Sequence, residues 1–455
     1  MLRRKIMNDL IAWKSNANHK CLLIKGQRQV GKTFIIREFS KTYKNSLYID
    51  FNADENTSRI FDMDLNIDRI ITSLKILYPH ATIEPKSTLI IFDEIQMCPR
   101  ARLSLKYFTM DGRYDVIASG SLLDVNIKIK NDNEHSILPV GYEEHLHMRG
   151  LDFEEFLWAK GYSEKQVELL KNAIRTKQKL DEPLMNAFNN CFNEFMMVGG
   201  MPESVYSYVT ENNIETVRLI LNNISNTFLE DVSKYSSDTD ALKIRKCYQS
   251  IPLQLSETYK KFMWSRIDSS GSKSGSRKYA DAIFWIENSG IGNCCNAIMD
   301  LSPPVSIQRD PSQFKVYLSD TGMLVNMMGP RAMQSILLQD PSFNQGALME
   351  NEIAECLVKS GYNLGYYIHR KEPGRMELNF VIDLGLETAA IEVKSGKSRE
   401  APSLSKTIKD DRIQRRIMFE RANISVDEYG IEHYPLFAAA FVREMQNPIL
   451  QIMHK

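Results

Sequence analysis

Cysteine is scarce: the 455 residues hold seven, an odd number, widely scattered and never in a C-x-x-C spacing. That excludes a disulfide scaffold and points to reduced thiols in a cytosol. An excess of either charge is missing too, since 57 Lys and Arg balance 57 Asp and Glu. A net charge of zero removes any whole-molecule attraction to nucleic acid or an acidic membrane surface, so a basic binding face has to be local. Long hydrophobic runs are also lacking. The longest, Leu436 to Val442, falls far short of the roughly 20 residues that span a bilayer and reads as a buried strand or helix turn. The basic start, Met1 to Lys5, is followed by Asn8, Asp9, Lys14 and Asn16 rather than by an apolar signal region. The expectation is a cytoplasmic protein with no membrane partner.

The composition, 43% hydrophobic and 25% charged, is that of an ordinary globular protein, and the length predicts about three domains. Short apolar runs alternate with helical patterns over the first third, the signature of an α/β fold with a parallel sheet covered by helices on both faces. Strands are expected at residues 21–25, 47–51, 88–92, 115–119 and 137–140. From about Leu151 the period becomes helical, through a break at Asp181-Glu182-Pro183, until Gly199-Gly200-Met201-Pro202. A second helical segment is expected over 214–232. Residues 265–278 are rich in Ser, Gly, Lys and Arg and read as a flexible loop or wing. A strand is expected over 314–318; a helix over 348–360 and strands at 365–369, 378–384 and 388–393 then predict a small α/β unit at the end.

Gly26-Gln27-Arg28-Gln29-Val30-Gly31-Lys32-Thr33 matches G-x-x-x-x-G-K-S/T directly after an apolar strand and before an amphipathic helix. The glycines let backbone N–H groups wrap phosphates, Lys32 supplies charge to the β and γ phosphates, and the Thr33 hydroxyl can ligate Mg²⁺. A glycine turn with a surface lysine is the plainer alternative. At average residue frequencies such a match arises by accident in a chain of this length in roughly 1 to 2% of cases. ATP with Mg²⁺ is therefore the expected ligand pair. An acidic residue should close a neighbouring apolar strand, and Asp93 does so. Glu94 follows, placed to orient and polarise an attacking water. Alone, an Asp-Glu pair at a strand end is often only a solvated terminus. Ser119 and Ser121, at the tip of the 115–119 strand, are candidates for a hydroxyl between Glu94 and the γ-phosphate, with a plain Ser-Gly turn as the alternative.

With these segments the chain resembles the bacterial and archaeal AAA-type P-loop ATPases that carry a C-terminal domain of unknown function. The matching segments are Gly26 to Thr33, Asp93 to Gln96, Ala118 to Ser121, Leu151 to Leu157, Gly199 to Glu203, Lys315 to Gly322, Glu350-Asn351 and Ile391 to Gly396. The resemblance implies an ATPase core over 1–160, a helical lid or connector over 161–235, a winged-helix segment over 236–330 and a degenerate PD-(D/E)xK nuclease-like domain over 331–455. Where that family commonly has Gly-Arg after the fifth strand, Gly141 is followed by Tyr142, leaving Arg149 as a substitute arginine. Glu392-Val393-Lys394 fits the second nuclease element. The first falls on Glu377-Leu378-Asn379-Phe380, where neutral Asn379 replaces an acid and weakens the affinity for a hard cation. Glu350 on the preceding helix, Glu377 and Asp383 are the remaining acids.

Lys260, Lys261, Arg266, Lys273, Arg277 and Lys278, followed by a helix near 279–288, make double-stranded DNA a candidate partner through a wing and a groove-binding helix. A solvated face is the plainer reading of such a cluster. A protein partner, and an oligomer, are the other candidates. Phe262, Trp264, Phe284 and Trp285 read as core. His145-Leu146-His147 lacks a third ligand for zinc, and Cys294-Cys295 reads as two small apolar residues.

Overall fold

A run of apolar residues without alternation can be a strand only where both its faces are covered, as in a parallel sheet beneath helices. The computed structural model describes residues 1–53, 55–121, 141–235, 237–257, 260–267, 275–338, 345–369, 376–394 and 402–446. Its first unit, residues 4–149 with 288–290, contains β1 (Cys21–Gly26), β2 (Asn45–Asp50), β3 (Thr88–Asp93), β4 (Asp115–Ser121) and β5 (Glu143–Met148). Every residue of β1 and β3 is buried. The strands are all parallel, in the order β2-β3-β4-β1-β5. The strand expected at 137–140 lies outside the described residues. β4 runs on to Ser121, so both serines are strand residues and the Ser-Gly turn is corrected.

Helices α1 (Ile6–Ser15), α2 (Lys32–Ser40), α3 (Ile67–Leu77) and α4 (Pro99–Asp111) flank this sheet. The chain steps outward from β1 to β2, then returns through β3 and β4. Right-handed crossovers therefore put α2 on one face and α3 and α4 on the other. The core under α3 and α4 gathers Cys21, Leu23, Phe92 and Ala118 with Ile70, Leu74, Leu105 and Phe108. The strand order reverses next to β1, which opens a crevice at the carboxyl ends of β1, β4 and β3.

The second unit comprises residues 1–3, 150–287 and 291–455. It opens with helices α5 (Phe153–Ala159), α6 (Glu164–Thr176), α7 (Glu182–Val198), α8 (Pro202–Glu211), α9 (Ile214–Tyr235), α10 (Asp238–Ser256) and α11 (Gly275–Asn288). Capping boxes at Asp152/Glu155 and Ser163/Gln166 set the starts of α5 and α6. Asp181-Glu182-Pro183, expected to interrupt a helix, starts α7, with the proline in its first turn. The loop expected over 265–278 is shortened, because Gly275 to Lys278 already belong to α11.

Antiparallel β6 (Gly292–Ile298) and β7 (Arg309–Leu318) follow, then α12 (Thr321–Met328), α13 (Pro330–Leu337) and α14 (Gln345–Lys359). β8 (Gly365–His369) pairs with β6, and β9 (Met376–Leu378) with β8, giving a sheet β7-β6-β8-β9 that draws strands from both sides of residue 330. A second, mixed sheet has the order β10-β11-β12-β14-β13, from Phe380–Leu384, Glu387–Val393, Arg415–Glu420, Ser425–Val426 and Glu432–Pro435 numbered in chain order as β10 to β14. The strand expected over 378–384 is thus two strands in two sheets, broken at Asn379. The apolar run at Leu436 is the 3₁₀ segment Leu436–Met445.

Three of the segments that carry the resemblance meet at one buried junction of this unit. The Asn351 side chain accepts from Leu318 N at 2.8 Å and donates to Leu318 O at 3.1 Å and Thr321 Oγ1 at 2.9 Å. Asp320 Oδ2 accepts from Gly200 N at 2.7 Å, and Glu355 Oε2 accepts from Thr321 N and Oγ1 at 2.6 and 2.8 Å. A Cβ on Gly322 would lie 2.5 Å from Gly199 N, so only glycine fits there. These residue patterns are accounted for by packing and backbone pairing. Asn351→Ala strands both polar groups of Leu318 in a dry interior, and a urea melt should show a loss of about 2 to 4 kcal/mol. A loss under about 1 kcal/mol would mean that the Leu318 pairing does not hold the junction.

Candidate functional site

The phosphate-type loop begins where β1 meets β5. A Cβ on Gly26 would come 2.2 Å from Met148 O, so the strand can turn there only with glycine. Gln29 and Gly31 take positive φ of 64° and 91°, curling the backbone, and α2 starts at Lys32. This is the concave run of N–H groups at a helix start that suits an oxyanion. Val30 is fully buried and its carbonyl accepts from Arg4 Nη1 at 3.1 Å, pinning the loop from below. Lys32 Nζ donates to Gly26 O at 3.0 Å and Gln27 O at 2.9 Å, so the ammonium lies over the loop.

Asp93 closes β3 at 3% exposure, and four donors from three further elements converge on it. Thr33 Oγ1 of α2 donates to Oδ2 at 2.8 Å, and Tyr48 OH of β2 donates to the same oxygen at 2.6 Å. Ser119 Oγ of β4 and, at 3.1 Å, Glu94 N donate to Oδ1. Ser121 stands opposite Gly26 in the β1–β4 register instead. Glu94 itself adopts a left-handed φ of 51°, and its carboxylate accepts from Gln96 Nε2. Thr33 Oγ1 and Asp93 Oδ2 are hard oxygen donors within hydrogen-bond reach of each other, a donor set that fits Mg²⁺. Tyr48 was not marked by any sequence pattern. Burial, then its bond to Asp93, raises its phenol well above the ordinary range, and the Arg37 guanidinium lies 4.3 Å from its ring centre.

The expected nuclease-like residues gather only in part. Fully buried Glu350 on α14 accepts from Lys260 Nζ at 2.5 Å, Lys315 Nζ at 3.1 Å, Asn379 Nδ2 at 2.9 Å and the Tyr317 hydroxyl. Lys315 also bridges to Glu377 at 2.9 Å. Asn379 Oδ1 accepts from Val393 N at 2.9 Å, which explains the break between β9 and β10. Glu392 pairs with Lys394 at 2.9 Å and accepts from Leu404 N at 3.4 Å. Asp383 turns elsewhere, capping Val305 N and Ser306 N at 3.0 and 3.1 Å. Among the described residues no three His, Cys, Asp or Glu side chains converge as a metal site would require.

The basic segment is thinner than its sequence suggests. Lys260 is spent on Glu350, Arg266 bridges Glu257 at 2.6 Å, and Lys261 donates to Gln313 at 3.2 Å. Lys278 is exposed; Lys273 and the Arg277 side chain lie outside the described residues. Phe262 and Trp285 are buried as expected, whereas Phe284 is exposed. His145 Nε2 donates to Glu143 Oε1 at 2.8 Å, and Cys294 and Cys295 alternate along β6 with only Cys295 fully buried. Among the described residues no helix is long and apolar enough to cross a membrane.

Residues 18–157 match the family model of an AAA domain, so the first unit is an AAA-type domain. Residues 189–334 match a domain of unknown function (DUF8612), and 345–433 a second one (DUF4143). No curated protein matches the chain. Among solved structures, it is similar to the Walker-type ATPase of Pyrococcus abyssi at 15% identity, covering 72% of this chain and 96% of that one with a TM-score of 0.43. The ORC2 protein of Aeropyrum pernix is 12% identical over 74% and 95% of the two chains, with a TM-score of 0.35. DnaA from Aquifex aeolicus is 12% identical over 62% and 86%, with a TM-score of 0.28. All three are too distant to transfer what those proteins bind.

Burial alone would raise the Glu350 carboxyl, but Lys315 and Lys260 and the bonds it accepts hold it at about 2. A depressed carboxylate contributes stability above its unfolded value of 4.5 and loses it as pH falls toward 2. At about 1.4 kcal/mol per unit that is about 3 kcal/mol. Denaturant melts of Glu350→Gln should show lower stability at pH 7 and a smaller loss between pH 5 and 3 than the unaltered protein. An equal acid loss in both would assign it to other carboxylates.

Proposed function

We propose that the chain is a Mg²⁺-dependent ATP hydrolase. The observation that carries this reading is the convergence of Thr33, Ser119 and Tyr48 on Asp93 beside the loop Gly26–Thr33, within an AAA-type domain. The loop N–H groups and the α2 start take the phosphates, and Lys32 turns its ammonium from the loop carbonyls to the β and γ oxygens. Thr33 and Asp93 hold Mg²⁺, which when bound supplies charge to offset the developing negative charge on the phosphates. Glu94 orients the attacking water and accepts its proton, and Ser119 keeps Asp93 aligned. Gln96 holds Glu94 in its left-handed turn, so the base must exchange that bond for the water.

The rest is read more coarsely. Seven free thiols support a reducing, cytoplasmic setting. The order α10, α11, β6, β7 supports a winged-helix-like arrangement over 236–330. Engagement of Lys260 by Glu350 supports a binding or structural role for residues 331–455 over a metal nuclease. DNA, a protein partner and self-assembly all stand as partners to be tested.

Steady-state ATP hydrolysis, with and without duplex DNA, tests the reading. Lys32→Ala should lose nucleotide binding, and Glu94→Gln should keep it while turnover falls ~100-fold or more. A Glu94→Gln enzyme with normal turnover would sink the assignment. Tyr48→Phe removes one of the four donors to Asp93. Its half-saturating Mg²⁺ concentration should rise several-fold, with metal-free nucleotide binding unchanged; an unaltered Mg²⁺ dependence would make Tyr48 a packing residue only.

A further inference from the structure

The penultimate residue of β1 carries a charge that its place in the sheet does not explain. Lys25 is 8% exposed and lies on the strand face of Cys21 and Leu23, which belong to the core under α3 and α4. Among the described residues nothing hydrogen-bonds or ion-pairs with its ammonium group. Its Cα partner on β5 is His147, and Arg149 follows two residues later. Neither of those side chains has a polar partner among the described residues.

The charged groups around Lys25 are mostly of its own sign. Glu143 shares the face, since Cys21, Leu23 and Lys25 oppose Glu143, His145 and His147 in register. That carboxylate is already engaged by Arg102 of α4 at 2.9 Å and by His145 at 2.8 Å. Burial, then Arg102, lowers the Lys25 ammonium, while Glu143 acts weakly the other way. His147 and Arg149 are exposed; partial desolvation, then Arg149, Lys25 and His145, lowers His147, and partial desolvation lowers Arg149. A buried, unpaired ammonium facing further cations is costly to hold. A compact oxyanion, able to accept several charge-assisted hydrogen bonds at once, is the ligand class that would offset this charge.

We propose that Lys25, His147 and Arg149 form a second anion site of the AAA-type unit, at the carboxyl ends of β1 and β5 and on the sheet face away from α2, that takes a phosphate group. The phosphate belongs either to a small phosphorylated molecule or to a nucleic-acid backbone, and both sources share the chemistry. The site is separate from the loop Gly26–Thr33 and does not depend on ATP hydrolysis.

The test uses the full chain carrying Lys32→Ala, so that the loop does not contribute. In phosphate-free, low-salt buffer, inorganic phosphate is added during thermal melts, and a labelled 20-base-pair duplex is titrated by anisotropy. At least one probe should bind, and its apparent affinity should fall at least ~10-fold on adding Lys25→Met or Arg149→Gln, the loss of one or more charge-assisted hydrogen bonds. Response to phosphate alone assigns a small phosphorylated ligand; response to duplex assigns the backbone. No binding of either, or binding unchanged in both variants, would overturn the site. Lys25→Met should also melt several degrees higher than its parent when no phosphate is present. A lower melting temperature would show that Lys25 is stabilised by a partner within the chain, and the proposal would fall.

Discussion

The carboxylate of Asp93 is the point on which the AAA-type unit turns. A buried anion is expensive unless hydrogen bonds replace its lost water, and here the replacements come from α2, β2, β4 and the Glu94 backbone. Each donor has to be in register for the others to fit. Tyr48 reaches Asp93 because β2 pairs with β3 so that Tyr48 stands beside Ile91 and Asp50 beside Asp93. Ser119 reaches it from the far side because β4 is the other neighbour of β3. The same carboxylate that holds the Thr33 hydroxyl therefore also couples the three strands and the helix around it.

The second unit handles the same physical problem with cations in place of hydroxyl groups. Glu350 is buried as deeply as Asp93, and Lys260 and Lys315 reach it from α10's exit and from β7. With Asn379 donating into the same carboxylate and accepting from β11, the arrangement joins α14 to both sheets. Lys25 presents the reverse case, a buried cation among cations, and that asymmetry distinguishes it from every other buried charge described above.

Much of the AAA-type core was legible in the chain. Gly26, Gly31, Lys32 and Thr33, and the apolar strand ending in Asp93-Glu94, are contiguous patterns whose meaning is local backbone geometry. Four of the expected strands appear within a residue or two of their expected limits, because unbroken apolar runs have few alternatives to a covered strand. Ser119 and Ser121 could not be told apart from spacing; register separated them, giving Ser119 to Asp93 and Ser121 to Gly26.

What escaped the sequence were partnerships between distant residues. Lys260 looked like part of a basic face, yet its partner Glu350 lies ninety positions away. Asn379 looked like a weakened metal ligand inside one strand, and proves to be the break between two. Residue type and spacing determined the phosphate loop, the acidic strand end and the alternation of helices and strands, since each depends on neighbours along the chain. Only the tertiary structure decided that Tyr48 serves Asp93, that two lysines neutralise Glu350 and that Lys25 faces His147. Strand register and helix packing set those distances, and neither is encoded in any short stretch of residues.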